Sequence, residues 1–88
     1  MRLDLMAERG HFAVRKDARI VRTGHVPLKA LEAQAVYEGE TVYRIDARYN
    51  PNELVVSGDD ILYEGESVLW SGYDPRGREW YKGKLVEE

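Results

Sequence analysis

Few residues of this chain have the types and spacing that catalysis requires. The two histidines, His11 and His25, have no carboxylate at the spacing of a metal site or a catalytic triad. The serines Ser57, Ser67 and Ser71 lack the strand-to-helix turn that exposes a nucleophilic hydroxyl group. We therefore interpret both histidines as solvated loop residues and expect no catalytic residue in the chain.

Two further patterns suggest ligand sites but fail in detail. Gly72 and Gly77 have the spacing of the first glycines of a phosphate loop, but Arg78 and Glu79 stand where Lys and Ser or Thr are required. The acidic residues at 59, 60, 64 and 66 lack the ligand spacing of a calcium loop and are typical of solvated turns. The chain has no cysteine, so disulfides and thiolate metal sites are excluded. The sequence predicts a protein that is not an enzyme and that holds no metal or cofactor.

The aromatic residues near the C-terminus are better candidates for a functional site. Trp80 and Tyr81 are adjacent, so in a strand their side chains point to opposite faces. Core packing accounts for one face, and the other could bind a partner, because Trp and Tyr are enriched at interface hot spots. We predict an interaction site among the hairpin aromatics Trp70, Tyr73, Trp80 and Tyr81. The cations interleaved with them could accompany stacked bases, but the acidic body argues against a nucleic-acid groove there.

Charge is distributed unevenly along the chain, whose net charge is -3. Residues 1–29 hold seven basic and three acidic side chains, whereas residues 30–88 hold six basic and thirteen acidic ones. A basic arm on an acidic body could contact nucleic acid or the acidic body of a neighbouring copy. Scattered solubilising charge is the alternative explanation. The candidate contact residues of the arm are Arg15, Lys16, Arg19 and Arg22.

The length of 88 residues predicts a single domain of marginal stability. No apolar run exceeds three residues, so we expect neither a signal peptide nor a membrane span. In the C-terminal half, the turn composition of 74–77 predicts a hairpin between 67–73 and 78–86. A strand with a glycine-containing turn over 59–66 precedes it, which predicts a three-stranded meander.

The rest of the chain gives weaker signals. Alternation over 41–49 predicts a half-buried strand, followed by a turn at 50–53 and an extended run at 54–56. Residues 28–37 fit a strand or a helix, and we favour the strand. Residues 3–5 suggest a short strand, and 8–26 show no period, which predicts a flexible loop or a loose hairpin. We expect a mainly β fold: a small antiparallel barrel or sandwich of hairpins, with at most one short helix.

One segment of the chain is repeated in part. Residues 36–43 and 62–69 match at five of eight positions, and both contain the sequence Tyr-Glu-Gly-Glu. Two copies are too few for a repeat architecture, so the match predicts two similar strand-turn-strand corners of one barrel. Chance convergence on one turn solution is the alternative.

The order of these elements resembles that of the head-tail joining (stopper or head-completion) proteins of long-tailed bacteriophages and prophages. The pattern begins with a strand such as 43–49. A charged pair then leads into an apolar strand, which is followed by a glycine, a polar residue and a second apolar strand, as in 59–70. A turn such as 74–77 and a closing strand that ends in charged residues complete the pattern, which covers 42–87. The family is usually longer, and its tryptophan before the central strand is absent, so Leu28 or Leu31 would take that place.

The resemblance implies a small β-barrel with a long loop, assembling as a ring between portal or connector and tail proteins, with DNA passing through the centre. It implies no cofactor and no catalysis, a subunit that can be monomeric alone, and a location in the host cytoplasm and then the virion. On this hypothesis the basic arm orders only on assembly or against DNA. Two alternatives stay open: a small barrel that binds nucleic acid through its basic arm, and a module that binds a peptide along a sheet edge.

Overall fold

The computed structural model describes residues 9–86, which form three small antiparallel sheets and one α-helix. Each sheet has three strands, in the orders β2-β1-β3, β4-β5-β6 and β7-β8-β9. The elements are β1 (Arg9–Lys16), β2 (Arg19–Pro27), α1 (Leu28–Glu38), β3 (Thr41–Arg44), a 3-10 turn (Pro51–Glu53), β4 (Leu54–Ser57), β5 (Asp60–Tyr63), β6 (Glu66–Ser67), β7 (Gly72–Tyr73), β8 (Glu79–Tyr81) and β9 (Lys84–Leu85). The prediction of a mainly β fold of hairpins with one short helix is confirmed, as three sheets in place of a closed barrel.

The sequence predicts a flexible loop or a loose hairpin over 8–26; where the structure describes that stretch it is a hairpin, so the flexible loop is wrong. Strands β1 and β2 pair from Arg9 to Lys16 and form the central hairpin of the molecule. The sequence shows no strand periodicity over β1 because both faces of the strand are covered. Phe12 and Val14 point into one hydrophobic cluster and Ala13 into another. A strand buried on both faces shows no alternation of apolar and polar residues. The predicted strand at 3–5 lies outside the described residues.

Residues 28–37 form the helix α1, so the preference for a strand is wrong. The buried side chains are Leu28, Leu31 and Ala35, which share one face at helical spacing, while Tyr37 is 91% exposed. The helix ends at Gly39, whose φ of 78° is left-handed. The N–H groups of Gly39 and Glu40 donate to the carbonyl groups of Val36 and Ala35, the pattern of a Schellman cap.

The two similar segments adopt different structures, so the expectation of two similar corners is wrong. Residues 36–43 contain the end of α1 and the start of β3, whereas 62–69 contain the β5–β6 turn. What they share is a glycine in the left-handed region, Gly39 with φ of 78° and Gly65 with φ of 86°. The match therefore reflects a common need for positive φ, which glycine adopts without steric cost.

In the remaining chain the predicted run 54–56 is confirmed as β4, but the strands predicted over 41–49, 67–73 and 78–86 are too long. Strand β3 ends at Arg44, and beyond it only Ile45 forms a bridge, with Leu69. The turn at 74–77 is confirmed, but a second turn at 82–83 splits the predicted closing strand into β8 and β9. The predicted meander is consequently two meanders in separate sheets.

The core consists of two clusters on opposite faces of the β2-β1-β3 sheet. One cluster joins β1 and β3 to α1 and Trp80, and the other joins them to Leu54, Ile61 and Val68 of the β4–β6 region. The β2-β1-β3 sheet is therefore the central sheet. Helix α1 and Trp80 of β8 cover one of its faces, and the β4-β5-β6 sheet covers the other. Within the described residues, no helix is long and apolar enough to cross a membrane.

Candidate interaction surfaces

The four hairpin aromatics divide between core and surface. Trp80 is buried, Trp70 is half-buried, and Tyr73 and Tyr81 are 69% and 60% exposed. Trp80 and Tyr81 therefore point to opposite faces of β8, as the sequence predicts. The two tryptophans lie where the β7-β8-β9 sheet contacts the rest of the molecule, and we call this contact the joint. The two tyrosines form a surface.

That joint is built around the guanidinium group of Arg44. Its central carbon lies 4.7 Å from the ring centroid of Trp70 and 5.0 Å from that of Trp80. Cation–π contact with two rings compensates part of the cost of removing the charge from water. Burial holds the pKa of Arg44 below its ordinary value, although the nearby carboxylate of Asp74 acts in the opposite direction. Gly10 lies against this group, since a Cβ atom there would stand 2.7 Å from Arg44 Nε.

The carboxylate of Asp74 is fully buried and accepts four hydrogen bonds. Oδ2 accepts from Trp80 Nε1 at 3.0 Å and from Arg78 Nε at 3.1 Å. Oδ1 accepts from the backbone N–H groups of Arg76 at 3.0 Å and Arg78 at 2.9 Å. Burial alone raises the pKa of Asp74, but these bonds and the charge of Arg44 outweigh it, so the pKa lies below its ordinary value. The carboxylate thus fixes the 74–77 turn to Trp80.

A backbone contact at Gly83 completes the attachment of the β7-β8-β9 sheet. Its N–H group donates to the carbonyl of Trp70 at 2.9 Å, and its carbonyl accepts from the N–H group of Arg44 at 2.9 Å. With φ of 82°, this residue is in the left-handed region, and an added Cβ atom would lie 3.0 Å from the carbonyl oxygen of Arg44. The sheet is therefore held to the central sheet by side-chain stacking and by backbone pairing.

The outer face of this attached sheet is aromatic. Tyr73 is opposite Glu79 in the β7–β8 pair, and Tyr81 lies two residues further along β8, so the three side chains share one face. All three are exposed. Lys82 Nζ lies 5.6 Å from the ring centroid of Tyr81. We call Tyr73, Glu79 and Tyr81 the tyrosine face.

The structure does not bring the four predicted arm residues together. The side chain of Arg15 donates to the carbonyl groups of Asp17 and Gly58, each at 2.7 Å. These bonds brace the turn between β1 and β2, where Lys16, Asp17 and Arg19 are exposed. We call residues 16–19 the hairpin tip.

The fourth arm residue, Arg22, lies away from the hairpin tip. Its guanidinium group pairs with Glu40 at 2.8 Å, and the carboxylate of Glu40 is nearly buried. The charge of Arg22 is thereby compensated within the chain. This residue helps to hold the end of α1 against β2 and is not part of the exposed basic group.

The histidines are not both solvated loop residues. They are opposite each other in the β1–β2 pair, with ring centroids 5.0 Å apart. His25 is exposed, whereas Nδ1 of His11 is buried without a hydrogen-bond partner. His11 lines a cavity of about 190 Å³ together with Arg44, Asp46 and Trp70. Among residues 9–86, no three histidine, aspartate or glutamate side chains gather in a way that could hold a metal ion.

Sequence reasoning missed Arg44 and Asp74 as the centre of the joint. Asp74 was recognisable only as the first residue of a turn, a position that aspartate favours for local hydrogen bonding. Arg44 lies on the polar side of the alternating stretch 41–49, which predicts exposure. Its burial depends on two tryptophans more than twenty residues away in the sequence, which no local pattern indicates.

Comparison with known proteins adds no relative: no family model, no curated protein and no solved structure matches the chain.

Proposed function

We propose that this chain is a structural subunit that joins head to tail in a bacteriophage or prophage particle, assembling as a ring through contacts with its neighbours. The order of elements over 42–86 supports this, since the glycine turn at 65 and the 74–77 turn of the resemblance have counterparts in the fold, and so does the start of its first strand, in β3. The portal or connector and tail proteins are its partners in this proposal, and DNA passes through the ring.

The observation that carries the proposal is the tyrosine face. Two tyrosines more than half exposed stand on a small sheet that is itself firmly attached through Asp74, Arg44 and Gly83. A rigid surface loses little conformational entropy on binding, and tyrosine supplies a large contact area. Such a surface suits a protein that works by binding another macromolecule.

The alternative function, nucleic-acid binding through the basic arm, is less well supported. Asp17 lies within the hairpin tip, and Arg15 bonds to Gly58, next to the exposed Asp59. Carboxylates among the cations weaken attraction to phosphates. Binding to a DNA duplex that falls steeply with salt concentration would nevertheless favour this alternative over the assembly function.

Locating the protein in particles tests the proposed function. An epitope-tagged chain is expressed in its natural host, particles are purified, and the tag is located by immunogold electron microscopy. We expect label at the junction between head and tail. A tagged variant with Tyr73→Ala and Tyr81→Ala should fold but be absent from particles. The control Tyr37→Ala, at an even more exposed tyrosine on α1, should be incorporated normally. Purified particles without the tagged wild-type protein would refute the proposal.

A further inference from the structure

We infer that the hairpin tip of one copy binds the tyrosine face of the next copy. This inference rests on the proposed assembly function and names the two surfaces through which neighbouring subunits meet. It follows from the separation of the two surfaces within one chain and from the match of their charges.

The two surfaces are too far apart to meet within one copy. The hairpin tip follows Lys16, at one end of β1, whereas the attached sheet is held through Arg44, which contacts Gly10 near the other end. Six residues of extended strand span roughly 20 Å. A contact between two different surfaces is heterologous, and repeating it produces a ring when the rotation between copies closes.

The hairpin tip presents its charges from a fixed backbone. Asp17 holds a left-handed φ of 58°, and the two hydrogen bonds of Arg15 brace the turn from within the same copy. Lys16 and Arg19 remain exposed on either side of this turn. The order of charges at the tip is therefore positive, negative, positive.

The tyrosine face has the complementary arrangement. Glu79 is opposite Tyr73 and two residues from Tyr81 on the same face, so an arginine or lysine there could meet both a carboxylate and an aromatic ring. Lys82 Nζ of the same copy lies 5.6 Å from the ring centroid of Tyr81, which shows that this ring can lie beside a cation. Lys82 in turn offers a positive charge to the Asp17 of an incoming tip.

Disulfide trapping tests the contact, because the chain has no cysteine of its own. One full-length variant carries Ala18→Cys at the hairpin tip, and a second carries Arg76→Cys at an exposed position of the 74–77 turn, beside the tyrosine face. After mixing and mild oxidation, we expect the disulfide-linked heterodimer to exceed either homodimer. A chain with both substitutions should give a ladder of larger oligomers. The matched control replaces Ala18→Cys by Ala33→Cys, an exposed alanine of α1, and should give no such excess.

Charge exchange tests the chemistry of the contact. Adding Arg19→Glu to the Ala18→Cys chain should lower the heterodimer yield by about fivefold, and Glu79→Lys on the other chain should restore it. Adding Arg48→Glu, an exposed arginine outside the tip, should leave the yield unchanged. Failure of the charge exchange to restore the yield would refute the assigned pairing.

The outcomes separate this inference from the proposed function. A protein found at the head–tail junction whose tip and face cysteines do not cross-link preferentially would overturn the inference alone. Preferential cross-linking by a protein absent from particles would support the contact and overturn the phage assignment. A dominant homodimer of the Ala18→Cys chain would show that two tips meet, which contradicts the inference.

Discussion

At the scale of single residues, the attachment of the C-terminal sheet depends on one carboxylate and one guanidinium group. Asp74 accepts four hydrogen bonds in a buried position, and Arg44 lies against two indole rings that also contact each other. Removing one member of such a network leaves the remaining donors unsatisfied, which costs more than the network contributes when complete.

We expect Asp74→Asn to lower the free energy of unfolding by about 2 to 3 kcal/mol. The amide NH₂ group of asparagine would face donors, either the two backbone N–H groups or the Trp80 and Arg78 nitrogens. Urea unfolding at neutral pH measures the change. Asp59→Asn, at an exposed aspartate, is the control and should change the unfolding free energy little.

The contribution of Asp74 should also depend on pH. Its pKa in the folded protein is below its ordinary value, so the unfolded chain takes up the proton first as the pH falls. The stabilisation is complete above the ordinary pKa of an aspartate and is lost as the pH falls through the lowered folded value. The difference in stability between wild type and Asp74→Asn should therefore shrink in strong acid. A difference that stays constant across this range would contradict the assigned role.

The two tryptophans should differ in their contributions. Trp80→Ala removes a buried side chain and should cost about 3 kcal/mol or more. Trp70→Ala removes a half-buried ring and one of the two rings that contact Arg44, so about 1 to 2 kcal/mol is expected. Denaturant midpoints with unchanged slopes measure both changes. Equal large losses would show that Trp70 also belongs to the core.

At the scale of secondary-structure elements, two glycines mark where backbone conformation decides the fold. Both Gly39 and Gly83 have positive φ, but only Gly83 has close neighbours in the space of a Cβ atom. Gly39 ends helix α1, and Gly83 connects the β7-β8-β9 sheet to the central sheet. They form a matched pair for separating conformational cost from steric clash.

We expect Gly39→Ala to cost about 1 kcal/mol, because only the left-handed conformation opposes the methyl group. Gly83→Ala should cost at least about 1 kcal/mol more, since its methyl group also meets the backbone carbonyl of Arg44 and the side chain of Leu69. Thermal or urea unfolding of the two variants makes the comparison. Equal costs would mean that the Gly83 contact can shift without penalty.

The sequence predicts those elements whose signals are local. The turns at 50–53 and 74–77 and the strands β4, β5 and β6 follow from turn residues and branched or aromatic runs beside them. The sequence of α1 favours a strand as well as a helix, because Leu31, Ala33, Ala35 and Tyr37 alternate. The structure forms the helix, which buries Leu28, Leu31 and Ala35 on one face and ends at Gly39. Strand β1 was missed because its partners on both faces come from distant segments.

At the scale of the whole molecule, the basic N-terminal part of the sequence does not form a free basic arm where the structure describes it. Its exposed charges there lie at the hairpin tip, where Asp17 stands among the cations. Arg15 and Arg22 serve contacts within the chain, and only Lys16 and Arg19 remain directed to solvent on either side of the turn. The sequence could predict which residues are basic but not which of them are already engaged, because Gly58 and Glu40 are distant in sequence.

Charge reversals should therefore separate the four arm residues into two groups. Lys16→Glu and Arg19→Glu should change the free energy of unfolding by less than about 0.5 kcal/mol, since both side chains are exposed. Arg15→Glu and Arg22→Glu should each cost about 1 kcal/mol through lost hydrogen bonds and an uncompensated Glu40. Urea unfolding distinguishes the groups, and a uniform response of all four variants would contradict the division.

The position of Trp80 in the first hydrophobic cluster also constrains the order in which the chain can fold. That cluster joins Phe12 and Val14 to a residue more than sixty positions later, and Arg44 links the two regions. The hairpin β1–β2 and the β4–β6 meander close short loops, but the Arg44 joint closes a long one and pays a larger entropy cost. During synthesis, helix α1 can cover part of this face soon after the hairpin emerges, but the part that Trp80 covers stays exposed until the C-terminal strands emerge.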